Sequence, residues 1–175
     1  PGLCFRLWTE REQGALTPRT PPEILTADLG ALALGLLRWG VADPRSLAWL
    51  DPPPAAHWAQ ALDVLRDLGL CDREGRLTPA GREAADLGAQ PRLAYLLFVA
   101  AARGVAGLAA DLAALLEERD PIRGVPGEAR SADIELRLHA LGDHRESRRA
   151  TRGLDPAALA RVARTARHWR RPVGA

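Results

Sequence analysis

Nine arginines stand between Arg145 and Ala175, against Glu146 and Asp155 alone. That is a local balance of +7 in a chain whose formal net charge is +2. Arg161, Arg164, His168 and Arg171 recur at helical spacing and share one face, opposite Leu159, Val162, Ala166 and Trp169. A basic stripe of this kind neutralises phosphates and gives affinity that falls with salt. Arg145, Arg148, Arg149 and Arg152 precede it in a charged stretch, and a mobile arginine-rich segment can order on RNA or DNA. The competing reading is a solvated helix face in an arginine-biased chain, because every Lys+Arg residue here is arginine.

A second charged run is acidic. Glu117, Glu118, Arg119 and Asp120 close an apolar helical stretch, where negative charge opposes the helix dipole. Two readings follow: pairing within the chain, with Arg123 or another arginine, or docking against the basic surface of another domain.

Catalytic signals are missing. The sequence contains no GxxxxGK[ST] phosphate loop, no HExxH, no GxSxG and no CxxC. His57, His139, His144 and His168 are scattered, as surface or helix-flank residues would be. Cys4 and Cys71 lie far apart and near no histidine cluster, so burial suits them better than a metal or a disulfide. No catalytic, cofactor-binding or metal-ligating residue is expected in the chain.

The elements that must position the charged residues are helical. Hydrophobic residues make up 47% of 175 positions, enough for a sizeable core. A strand is expected over Pro1–Trp8, then a polar linker to Thr20. Pro21-Pro22 opens a helix whose stripe is Ile24, Leu25, Leu29, Leu32, Leu36 and Leu37, ended by Gly40. A short helix over Arg45–Leu50 and a third over Ala55–Leu68 follow. Residues 70–78 fit two very short strands around a turn. Three helices and a hairpin is the winged-helix order, although a loop at 71–77 in a helical bundle gives the same pattern.

Thr78-Pro79 caps a further helix. Pro91–Arg103 and Val105–Arg119 read as an antiparallel pair, and Ser131–Leu141 as a modest helix. Gly142–Gly153 is charged and expected to be mobile. Asp155-Pro156 starts the last helix. The third helix would read a major groove in a winged-helix DNA binder. Its outer residues here are Gln60, Asp63, Arg66 and Asp67, a net acidic set that argues against sequence-specific DNA reading.

No apolar run approaches the ~18 residues of a membrane span, and no basic-then-apolar leader opens the chain. A cytoplasmic protein is expected. The chain begins at Pro1 and contains no methionine, which reads as a piece of something longer.

These residues resemble a known family. Pro1-Gly2-Leu3-Cys4-Phe5-Arg6-Leu7-Trp8 is similar to the strand that follows the last arginine-rich motif in the second RecA-like domain of DEAH-type helicases. Pro22-Glu23-Ile24-Leu25 with Asp28-Leu29 resembles the start of their winged helix. Trp49-Leu50-Asp51-Pro52-Pro53-Pro54, Leu77-Thr78-Pro79-Ala80-Gly81-Arg82 and Glu118-Arg119-Asp120-Pro121 resemble the bacterial HrpB branch. The resemblance covers nearly the whole chain and is weakest from Gly142 onward.

It implies a mainly α fold. Residues 1–20 would be the strand and linker ending a second RecA-like domain. Residues 21–80 would be a winged helix with a short β-hairpin, and residues 81–175 a ratchet-like helical bundle. It further implies a non-catalytic accessory region of an ATP-dependent RNA helicase. That region would line the nucleic-acid channel and couple motor motion to strand translocation. ATP and Mg²⁺ would belong to the parent, and the partners would be RNA or single-stranded nucleic acid and the chain's own motor domains. Two rivals stay open: a free-standing winged-helix DNA-binding regulator and a protein-interaction scaffold.

Overall fold

The computed structural model describes residues 2–17, 19–123, 131–146 and 153–171. Among them the chain forms eight α-helices: α1 (Glu10–Ala15), α2 (Gly30–Arg38), α3 (Ala55–Asp67), α4 (Pro79–Leu87), α5 (Pro91–Ala102), α6 (Ala106–Glu117), α7 (Ile134–Arg145) and α8 (Pro156–Arg170). The mainly helical expectation holds.

Local chemistry sets these boundaries. Thr78 caps α4 by accepting from the Gly81 N–H, with Pro79 in the first turn. Gly88 ends α4 in the left-handed region (φ 68°), where a side chain would be strained. Asp155 caps α8 by accepting from the Ala157 and Ala158 N–H groups.

Several expectations are corrected. No strand forms over residues 2–8: no sheet among the described residues is there to pair with it, and Leu3, Phe5 and Leu7 are 81–94% exposed. The linker after it contains α1, closed by a reciprocal Thr9–Glu12 capping box. Residues 21–37 are not one helix. A 3₁₀ turn over Glu23–Leu25 comes first, and the Asp28 carboxylate accepts from the Gly30 N–H at 2.7 Å to start α2. Likewise Pro44–Ser46 makes only a 3₁₀ turn in place of the second helix.

The hairpin is corrected as well. No strand is present at 70–78, only a single antiparallel bridge between Cys71 and Leu77. Asp72 and Gly75 close the turn, Gly75 at φ 77°. The Asp72 N–H donates to the Arg76 carbonyl at 2.9 Å and the Thr78 N–H to the Leu70 carbonyl at 3.1 Å, but α3 ends at Asp67 and α4 begins at Pro79, which leaves no length for a longer ladder.

One buried cluster runs through α2, α3, α4, α5, α6, α7 and α8. The helix α6 is central, packing on α5, α7 and α8. Beside Leu115 its buried residues are Ala106, Ala109, Ala110, Ala113 and Ala114, small enough to let neighbouring helices approach closely. The start of α8 is fixed by a bridge between Ile122 and Leu154 and by the Arg123–Asp155 ion pair at 3.1 Å. Cys71 is buried, and burial pushes its thiol up from the ordinary value; Cys4 is exposed, contrary to expectation. No helix among the described residues is long and apolar enough to cross a membrane.

Candidate nucleic-acid interface

The helix α8 presents its charge on the side away from the core. Leu159, Val162, Ala166 and Trp169 are buried, as the spacing requires. Arg164, Arg167, His168 and Arg171 are exposed. None of these four makes a hydrogen bond or ion pair with any described residue.

The other candidate cations are committed. Arg145 ends α7 and grips the Asp111 carboxylate with both terminal nitrogens, each at 2.6 Å. Arg170 reaches the same carboxylate at 2.7 Å and the Gly107 carbonyl at 3.4 Å. Asp111 on α6 therefore ties together the C-terminal ends of α7 and α8. Its hydrogen bond raises the Arg145 guanidinium further above its ordinary value. Arg161 leans toward Glu118 at 3.7 Å. Arg148, Arg149 and Arg152 lie outside the described residues.

The acidic run divides in the same way. Glu118 accepts from the Thr165 hydroxyl at 2.7 Å, joining the end of α6 to α8. Asp120 takes a bidentate bond from Arg137, at 3.1 and 2.6 Å, with that arginine side chain 11% exposed. Glu117 and Arg119 point to solvent. Arg123, offered as a partner for this run, pairs instead with Asp155.

Sequence reasoning missed Arg167, which stands beside His168 on the open face. It also missed a groove of about 620 Å³ where α4, α5 and α8 converge, lined by Glu83, Asp86, Leu87, Phe98, His168 and Arg171. The helical wheel gives Arg167; the groove joins residues 85 positions apart and has no local signal. On α3, Gln60, Asp63 and Asp67 are exposed and Arg66 is paired to Asp63 at 2.7 Å, so that face stays acidic. The turn arginine Arg76 is likewise held by Asp72 and Glu74. No group of three or more His, Cys, Asp or Glu side chains among the described residues is arranged to hold a metal.

No family model matches the chain. Individual proteins do. The ATP-dependent RNA helicase HrpB of Escherichia coli is 39% identical over 118 residues, covering 67% of this chain and 14% of that protein. The pre-mRNA-splicing factor ATP-dependent RNA helicase prp22 of Schizosaccharomyces pombe is 37% identical over 105 residues, 59% of this chain and 9% of that protein. The crystal structure of Escherichia coli DEAH/RHA helicase HrpB superposes with a TM-score of 0.66 at 31% identity, over 91% of this chain and 18% of that one. The shared class is the ATP-dependent RNA helicases, of which the chain corresponds to one segment. Within it, the chain belongs to the HrpB-type DEAH-box family, spanning a minor part of its relatives' length.

Proposed function

We propose that this chain is an RNA-guiding accessory region of an ATP-dependent RNA helicase. The single observation that carries the reading is the row Arg164, Arg167, His168 and Arg171, exposed and uncommitted on α8. Arginines with no partner among the described residues are available to phosphates, whereas Arg145 would first have to leave Asp111. In this reading residues 21–80 are the winged helix, with the turn at 72–75 as a reduced wing, and residues 81–175 the ratchet-like bundle lining the RNA channel. The bundle couples motor-domain motion to strand movement. ATP and Mg²⁺ act in RecA-like motor domains of the parent protein, which is cytoplasmic. Exposed Leu3, Phe5 and Leu7 supply apolar surface for docking on those domains, and Arg119 with Glu117 adds a charged edge.

A DNA-reading regulator is disfavoured by the acidic outer face of α3. A scaffold role has one observation in its favour: Val105, Leu108 and Leu116 form a stripe on α6 that is 48–64% exposed.

The test is anisotropy of a single-stranded RNA oligomer with the chain across a salt series. Affinity should fall steeply with salt. The triple variant R164A/R167A/R171A should flatten the slope of log K against log salt by about 2, since each phosphate contact on a single strand contributes about 0.7. Circular dichroism confirms the fold. Binding that ignores salt, or that survives the triple variant unchanged, favours the scaffold.

A further inference from the structure

From the groove between α4, α5 and α8 we infer a seat for one unpaired nucleotide of the RNA, with its base stacked on Phe98 and its phosphate on the α8 cations. The inference rests on the RNA reading above and deepens it by assigning a base-contacting site.

The groove is amphoteric in a spatially ordered way. One wall is α4, carrying the carboxylates of Glu83 and Asp86. The other is α8, carrying His168 and Arg171. Between them lie Leu87, which is buried, and Phe98, which is partly so. A nucleotide has the same order of chemistry: an anionic phosphate, a flat π face, and a base edge bearing N–H donors. The phosphate is repelled by α4 and attracted by α8, which fixes the direction of entry. The base then meets the Phe98 ring, and base–aromatic stacking stabilises single-strand binding.

The donor edge faces the acidic wall. Carboxylates only accept hydrogen bonds. Glu83 has no partner among the described residues, and Asp86, although held by Arg38 at 2.9 Å, keeps lone pairs free on both oxygens. Adenine and cytosine present an exocyclic amine to such a wall, whereas uracil presents mostly acceptors. The seat is continuous with the open face of α8, because His168 and Arg171 belong to both. From Arg164 to Arg171 the row advances about 10 Å along α8, so a strand that follows it is delivered to the groove.

The experiment separates this seat from the general RNA reading. The whole chain is titrated with oligoadenylate and with a ribose-phosphate oligomer of equal length that lacks bases. Both oligomers meet the same cations. The seat predicts roughly tenfold tighter binding of the oligoadenylate, in line with stacking on one aromatic ring. It also predicts that Phe98→Leu removes most of that difference. Glu83→Ala, at an exposed helix position that cannot disturb the core, should erase the preference for oligoadenylate over oligouridylate. Quenching of 2-aminopurine placed in the oligomer should disappear with Phe98→Leu. Salt-dependent binding with equal affinity for both oligomers, and no effect of Glu83→Ala, overturns the seat and leaves the RNA reading intact. Binding of neither oligomer overturns both.

Discussion

Arginines of equal standing in the sequence have unequal standing in the fold. Arg145 and Arg164 read alike in a basic stretch, yet one is clasped by Asp111 and the other is open. The difference comes from an acid on α6, 34 residues from Arg145, so no local pattern carries it. Asp111 is 14% exposed and holds two guanidiniums. Asp111→Ala would leave both without their acceptor in a partly dry site. The expected loss is about 1–3 kcal/mol, read from urea unfolding. A loss no larger than that of an exposed Asp→Ala elsewhere would remove Asp111 from this role. Gly81 is a sharper case. A Cβ there would stand 1.8 Å from the Leu70 carbonyl oxygen, a backbone atom that also accepts from the Thr78 N–H. Backbone gives way less than a side chain, so Gly81→Ala should cost about 3 kcal/mol or more, beyond ordinary overpacking. A melting temperature within 2 °C of the parent (roughly 1 kcal/mol or less) would contradict the packing described.

Helix starts marked by a capping residue and proline were legible to the residue, as at Thr78-Pro79 and Asp155-Pro156, because the signal is local and stereochemical. Apolar periodicity alone was a poorer guide. The stripe from Ile24 to Leu37 looks continuous, but the Asp28 carboxylate competes for the Gly30 N–H and restarts the helix there. Conversely α7 continues to Arg145, past Leu141 where the stripe ends, since Arg145 gains Asp111 by staying helical. The cap of α8 also gives the chain an acid-sensitive element. Bonds from the Ala158 N–H, then Arg123, hold the Asp155 carboxyl below the ordinary carboxylate value. A folded-state value lowered in this way stabilises the protein above about pH 4 and is lost as pH falls through the folded value. Asp155→Asn keeps a cap but cannot titrate. Its melting temperature should lie below the parent's at pH 7, with the gap narrowing as pH drops under 4. A gap constant from pH 7 to pH 3 would show that the carboxylate contributes nothing through its charge.

At the scale of the molecule, the division expected after residue 80 runs through the first turns of α4. That helix faces both ways: Gly81 presses on Leu70 beside the α3 end, while α4 also packs against α5. The buried cluster is accordingly continuous from Leu29 to Trp169. A boundary read from motifs marks where two architectures meet, and packing decides whether they unfold apart. The order from α3 to α8 was legible because each of these helices buries its own stripe; the sharing of one core was not, because it depends on which stripes face each other. With a single contiguous core, the chain should unfold in one calorimetric transition whose van't Hoff and calorimetric enthalpies agree. Gly81→Ala gives the decisive comparison, since its damage lies on the α2–α4 side. If the core is one cooperative unit, that variant lowers the whole transition, including loss of the environment of buried Trp169 on α8. If the halves are independent, the endotherm splits and the α5–α8 part melts where the parent does. A split endotherm would also loosen the groove above, whose acidic wall belongs to α4 and whose basic wall belongs to α8.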